Sequence, residues 1–290
     1  MYDYIVTTDS TVDLSQERMQ QLGVPYAQLY YHMDGESRPD DMTDETARFI
    51  YASMLQGKVI TTSQPTPEDF MALWRPIFQA GQDVLHIGFS SALSGSVNSA
   101  RLAQGIAQKE FPQRRVCIVD SLCASGGEGM LLQHTLRKRE EGLDLDACYA
   151  WAEANKLRVH HWYTVDDLIY LRRGGRVSGA AAFVAGLLHI KPVMNMDLQG
   201  RLIPREKVKG RRASIKRMAE KLGQFINLEE NPFIHITHAD CLADALALKA
   251  MIQEKFPSIT QVDISYVGAV IGAHAGPGTL ALFFMGDGRE

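Results

Sequence analysis

The order of apolar and polar positions divides the chain into two halves of different character. Residues 2–8 are a short apolar and β-branched run, the pattern of a strand, and residues 14–22 show helical spacing behind Asp13 as a cap. Residues 24–31 read as a second strand. Thr43 caps a helix that runs to about Gln56, with Asp44 and Glu45 in its first turn, where the helix dipole favours acids. In Thr66-Pro67-Glu68-Asp69, a Thr cap, a Pro at the first helical position and two acids open another helix. A third strand (83–89), a Ser/Gly-rich turn, a helix (96–110) and a fourth strand (115–119) follow, then a glycine-interrupted helix to about Glu141 and a helix over 145–157. Such alternation predicts a parallel sheet covered by helices on both faces.

Beyond residue 160 the pattern changes. A strand (162–165) and a short helix (166–173) end at the helix stop Gly174-Gly175-Arg176. Residues 178–188 read as a small-residue apolar helix, which would suit either a narrow tunnel beside its axis or close packing on a sheet. Residues 190–196 and 201–208 flank Asp197-Leu198-Gln199-Gly200 as a hairpin. A basic helix (211–225), a strand (233–237), a helix (242–256), a strand (261–266), a Gly-rich loop (272–278) and a last strand (279–285) complete the chain. The expected architecture is an N-terminal parallel-sheet α/β/α domain over 1–160 and a C-terminal α+β domain with a mixed or antiparallel sheet over 161–290.

Composition narrows the function classes. The chain has 290 residues, 46% hydrophobic and 22% charged, with a formal charge of −4. Two domains of this size bury their cores without staples, and a whole-chain electrostatic grip on nucleic acid is not expected. Cys117, Cys123, Cys148 and Cys241 are scattered with no C-x-x-C, which reads as free thiols in a reducing compartment. No apolar run is long enough for a transmembrane helix, and the N-terminus has no signal-peptide core, so a cytoplasmic protein is expected.

Several catalytic and cofactor signatures are missing. There is no Walker loop. Gly127-Glu128-Gly129 is similar to a dinucleotide loop but has Leu132 in place of the third small residue, so it reads as a helix N-terminus packing against a strand. His160-His161 and His235-x-x-His238 lack partners at zinc spacing, and His235 and His238 fall on opposite faces of a strand; no metal is expected. Ser94 and His274 offer a serine-hydrolase pair, but Ala92-Leu93-Ser94-Gly95-Ser96 is not a nucleophile elbow.

Three polar segments stand out: Thr61-Thr62-Ser63-Gln64-Pro65-Thr66, the stretch from Ser90 to Ser96, and the stretch from Gly272 to Gly278. The first two are expected beyond the carboxyl ends of parallel strands, where hydroxyls and unpaired helix N–H groups hold anions and Gly95 admits close backbone approach. The alternative is that they are caps and turns alone. Between Arg201 and Arg217 lie eight cations against one acid, Glu206. That stretch is either a solvated face or a docking patch for an acidic or phosphate-bearing partner; no aromatic residues interleave for nucleic acid.

Taken together these segments resemble the DegV family of bacterial fatty-acid-binding proteins. The resemblance runs along almost the whole chain, through Thr7-Thr8-Asp9-Ser10-Thr11, Thr62-Ser63-Gln64-Pro65-Thr66-Pro67, Ser90-Ser91-Ala92-Leu93-Ser94-Gly95, Val119-Asp120-Ser121, Gly174-Gly175-Arg176-Val177-Ser178, Ile190-Lys191-Pro192 and Gly272-Ala273-His274-Ala275-Gly276-Pro277-Gly278. It implies a two-domain fold with one long-chain fatty acid between the domains, and a carrier role without a catalytic centre or further cofactor. The carrier presents its acid to a separate fatty acid kinase, which forms the acyl phosphate. By position, Thr62 and Ser94 match the hydroxyls that hold the carboxylate, with Ser63 and Gly95 beside them and His274 in their network. Arg176 and Arg211 match basic positions facing the kinase. Thr66, where Ser is more usual, and the aromatic stretch from Tyr30 to Glu36 depart from the family pattern and leave the acyl chain open.

The physics of a carrier is consistent with this. About fourteen buried methylenes at ~0.8 kcal/mol each gross ~11 kcal/mol before association costs. The tail then supplies most of the affinity, while Thr62, Ser94 and a proton-bearing His274 hydrogen-bond the carboxylate and orient it. A Ser/His hydrolase or a stand-alone phosphotransferase is the competing class.

Overall fold

A computed structural model describes residues 3–177 and 190–289. The small-residue helix expected over 178–188 lies outside the described residues. The first half runs β1 (Tyr4–Asp9), a 3-10 turn (Ser10–Val12), α1 (Gln16–Leu22), β2 (Tyr26–Ala27), β3 (Tyr30–Met33), β4 (Glu36–Pro39), α2 (Asp44–Leu55), β5 (Thr61–Ser63), α3 (Pro67–Gln79), β6 (Asp83–Gly88), α4 (Ser96–Glu110), β7 (Val116–Asp120), α5 (Gly126–Glu140) and α6 (Leu145–Asn155). The second half runs β8 (Val159–Thr164), α7 (Ile169–Gly174), β9 (Ile190–Met196), β10 (Leu202–Lys209), α8 (Arg211–Phe225), β11 (Ile234–His238), α9 (Leu242–Lys255), β12 (Val262–Tyr266), α10 (Ala269–Ala275) and β13 (Leu280–Met285).

The strands form a parallel sheet of order β2-β1-β6-β7, a mixed sheet of order β10-β9-β8-β13-β11-β12, and a small antiparallel sheet of order β4-β3-β5. The parallel sheet is the one the first-half alternation predicts, and the second half, expected to hold a mixed or antiparallel sheet, holds a mixed one. Helices α3 and α4 cover one face of the parallel sheet, α5 and α6 the other, and α5 also packs on β8, β11 and β13. Helices α8 and α9 cover the far face of the mixed sheet. Helix α5 is therefore a shared middle layer. Its Met130, Leu131 and Leu132 are fully buried, each contributing roughly 1.5–3 kcal/mol relative to exposure. That explains why its sequence lacks a polar stripe: there is no solvent face until its basic end at Arg137, Lys138 and Arg139.

Local chemistry fixes many boundaries. Thr66 and Asp69 form a reciprocal capping box with Pro67 at the first helical position, and Thr43 accepts from Thr46 N–H. Helix α7 ends at Gly175, whose φ of 70° is the left-handed conformation expected of the helix stop.

Three expectations need correction. Ser15, not Asp13, caps α1; Asp13 is a buried left-handed residue tied into the interior. Residues 24–31 are not one strand: β2 joins the parallel sheet and β3 the small sheet, so the chain changes sheets within four residues of Tyr26. The Gly-rich stretch from 272 begins inside α10 rather than in a loop. Position 272 is a glycine within the helix because a Cβ there would strike the Tyr51 ring, and Tyr51 holds Val267 O through its hydroxyl at 2.5 Å.

Candidate functional site

A cavity of about 310 Å³ opens where the small sheet, the loop after β6, α10 and the inner face of the mixed sheet meet. That is at the low end of the volumes typical of small-molecule sites. One end of its lining collects Thr62, Ser63, Gln64, Ser94, Arg176 and His274. The remainder is mostly apolar, with Leu29, Phe89, Leu93, Met196, Ile271 and Phe283 among the wall residues.

The polar end is assembled from four separate chain segments. Thr62 sits on β5 opposite buried Tyr31, so its side chain turns inward toward α10. Its hydroxyl and His274 Nε2 are 2.7 Å apart. Burial, and then the Arg176 charge, push the His274 imidazole down to about 4, so it is neutral near pH 7. A neutral imidazole still bears one proton. If Nε2–H donates to Thr62, the Thr62 hydrogen is free for an anion in the cavity. Gly174 packs against the other ring nitrogen so closely that a Cβ there would overlap Nδ1.

Ser94 lies in the turn between β6 and α4. Its oxygen accepts from Ser96 N–H at 3.2 Å, which leaves its own hydrogen for a ligand. Gly95 is the N-cap residue of α4 and does not line the cavity; a Cβ there would overlap the Gln64 amide. Ser63 lines the cavity, but its hydroxyl is 2.9 Å from His32 Nε2 on the exposed side of the small sheet. Arg176 donates to Leu93 O at 3.3 Å and to Gly174 O at 2.5 Å, joining the β6–α4 turn to the end of α7.

Arg211 is elsewhere. It starts α8, donates to Asp244 at 2.8 Å and lies 3.7 Å from Asp166, away from the cavity lining. Part of the basic stretch is spent locally: Arg201 pairs with Asp197, and Arg217 with Glu206 and Glu220, while Lys221 just beyond it also pairs with Glu206.

The structure thus brings Thr62, Ser63, Ser94, Arg176 and His274 to one cavity and leaves Gly95 behind it and Arg211 outside it. The expectation that segment one follows a parallel strand does not hold, since β5 belongs to the small antiparallel sheet. Sequence reasoning also missed Gln64, although it stands inside the quoted Thr-Ser-Gln-Pro block. It missed Tyr163 and Thr237 as well, whose only signal is strand alternation within β8 and β11.

Beside the cavity lies a second polar cluster with different chemistry. Asp9 accepts from Thr11 N–H, Phe89 N–H, the Ser96 hydroxyl and the Thr11 hydroxyl. The Thr11 hydroxyl also lies 2.8 Å from Glu128, and that of Thr8, which donates to Ile87 O, lies 3.2 Å from the other Glu128 oxygen. Each hydroxyl has one hydrogen, so Glu128 supplies a proton of its own. Burial and the neighbouring Asp9 charge hold Glu128 well above the usual carboxylate range, in agreement.

The Gly127-Glu128-Gly129 segment is a helix N-terminus packed on strands: a Cβ on Gly127 would overlap the His161 ring, and one on Gly126 would lie 2.8 Å from the Phe283 ring. His235 bonds Ser265 on one face of its strand, while His238 contacts Tyr266. Among the described residues, no group of His, Cys, Asp and Glu is arranged to hold a metal ion, and no helix is long and apolar enough to cross a membrane.

Comparison with known proteins places this architecture. A DegV domain-containing protein of Clostridium perfringens is 36% identical over the whole of both chains. A solved DegV family protein from Thermus thermophilus, described as fatty-acid-binding, is 31% identical with a TM-score of 0.88, covering 98% of this chain and 99% of that one. The structure of DegV from Bacillus subtilis, described as a fatty acid binding protein, is 26% identical with a TM-score of 0.85, covering 99% of this chain and all of that one. A family model described as "Uncharacterised protein, DegV family" matches residues 4–287, and this chain belongs to the DegV family.

Proposed function

We propose that this protein is a fatty-acid carrier. A long-chain fatty acid lies in the cavity between residues 1–160 and 161–290, with its carboxylate at the Thr62–Ser94–His274 end and its tail along the apolar lining. The observation that carries this reading is the distribution of polarity: unspent hydroxyl donors gather at one end of a cavity that is otherwise largely apolar. Fatty-acid binding by the Thermus thermophilus and Bacillus subtilis relatives supports it.

The head group is held without a formal ion pair at its centre. Thr62 and Ser94 donate to the carboxylate, neutral His274 backs Thr62, and Arg176 contributes positive potential at the rim. Hydroxyl donors that rotate freely accommodate both a planar carboxylate and a tetrahedral acyl phosphate. The carrier accordingly presents the head group to a separate fatty acid kinase for acyl-phosphate formation. His274 is bonded to Thr62 rather than to Ser94, and the charge acting on it is Arg176 rather than an orienting carboxylate. That is the opposite of what a serine nucleophile and its base require, and it favours the carrier over a hydrolase.

The test is a pair of measurements. Purified protein alone is expected to turn over neither a generic ester nor ATP, and Ser94→Ala is expected to lower acceptance by a kinase more than it lowers lipid retention. Turnover without a partner, or equal losses in the two assays, contradicts the proposal.

A further inference from the structure

The middle of the cavity is not uniformly apolar. On the inner face of the mixed sheet Tyr163 stands in register with Ala281, and Ala281 with Thr237; all three line the cavity. The next row toward the interior is His161 and Phe283, on which the N-terminus of α5 sits through Gly126 and Gly127. Thr279, at the head-group end, bonds Ala275 O beside His274. From Thr279 to Ala281 along β13 is about 7 Å, and on to Phe283 about 14 Å, at ~3.4 Å per residue. The Tyr163–Ala281–Thr237 row therefore lies about 7 Å beyond the head-group end, several carbons down the tail and clear of the carboxylate.

Tyr163 is 7% exposed, and its hydroxyl is buried with no hydrogen-bond partner among the described residues. Buried hydroxyls are nearly always paired, so an orphan on a cavity wall points to a missing partner. The neighbouring side chains do not provide one. His161 is fully engaged, with Nδ1 at 3.0 Å from Val159 O and Nε2 accepting from Ala124 N–H at 3.2 Å. Thr237 lies 3.2 Å from Ser125, which also bonds Asp13 at 2.5 Å. Ser125 and Thr237 share a hydrogen bond that either can donate, so Thr237 keeps a lone pair or its own hydrogen for the cavity. Two hydroxyls with unspent capacity are left, on either side of a residue whose side chain is a single methyl group.

We propose that this row recognises an oxygen substituent on the acyl chain, so that the ligand class is a long-chain fatty acid hydroxylated in the first half of its chain, several carbons from the carboxylate. The ligand hydroxyl accepts from Tyr163 and completes its second hydrogen bond with Thr237. The inference rests on the fatty-acid reading above and adds selectivity within it.

The test is competition for the cavity between stearic acid and a panel of its monohydroxylated positional isomers, with wild type, Tyr163→Phe and Thr237→Val. Wild type is expected to bind at least one isomer hydroxylated in the first half of the chain as tightly as stearic acid. Each variant is expected to weaken that isomer about tenfold while changing stearic acid less than about twofold. Thr237→Val provides an independent readout if Tyr163→Phe repacks the wall. If wild type binds stearic acid but disfavours every isomer as strongly as the variants do, this inference falls and the carrier reading stands. If wild type binds none of these acids, both fall.

Discussion

Two polar clusters lie within the same interior, and they differ in one respect that separates a site from a scaffold. At the mouth, Thr62 accepts from His274 and Ser94 from the backbone, and both hydroxyls still have hydrogens to give. In the knot of Asp9, Thr11 and Glu128, the donors are consumed by the protein's own carboxyls. The knot is fully buried, and burial raises the Asp9 carboxyl and holds Glu128 well above the usual carboxylate range. By burial and pKa alone it would look like the functional centre. The comparison shows that unspent hydrogen-bond capacity facing a cavity is the better mark.

The largest expected effect falls on the knot. Asp9→Ala strips the acceptor from Thr11 N–H, Phe89 N–H and the Ser96 hydroxyl together, and is expected to cost on the order of 3–5 kcal/mol in urea unfolding. A loss below about 1 kcal/mol would mean that the knot is not a scaffold.

Next comes pH. Asp13 accepts from Ser125 and Gly268, and burial pushes it up to about 8. Its folded-state pKa thus lies above the ordinary 3.8, so the folded protein holds this proton longer than the unfolded chain does. The resulting stabilisation is complete below about 4 and is lost as pH rises through about 8. Wild type should therefore lose stability relative to Asp13→Asn over that window. A difference independent of pH would contradict the assignment.

The mouth should behave in the opposite way. Ser94→Ala is expected to lower fatty-acid affinity about tenfold while changing stability by less than about 1 kcal/mol, read by displacement of a fluorescent fatty acid and by urea unfolding. The smallest effect belongs to Ser63→Ala, expected within about twofold of wild-type affinity because its hydroxyl is taken by His32. Equal losses at Ser63 and Ser94 would erase the distinction between spent and unspent hydroxyls.

Much of the fold was legible because its signals are local. The Thr43 and Thr66 caps, the Gly175 stop and the hairpin around Gly200 each depend on a few adjacent residues, and each appears where the sequence places it. The failures are non-local. Whether residues 24–31 make one strand or two depends on β5, more than thirty residues later, which gives β3 a partner outside the parallel sheet. Gly272 reads as a loop residue until Tyr51, from α2, requires the space a side chain would fill. In the site, Thr62, Ser94 and His274 were legible through motif resemblance. The engagement of Ser63 by His32 and the orphan hydroxyl of Tyr163 depend on three-dimensional partners that no spacing encodes.

A fatty acid that fills the cavity with its carboxylate at the Thr62–Ser94–His274 end should travel with the protein through purification. Mass spectrometry of the organic extract from denatured, purified protein detects it. One long-chain fatty acid per chain is the predicted result, with its amount reduced in Ser94→Ala. Lipid-free protein that also fails to take up added fatty acid would contradict the carrier reading.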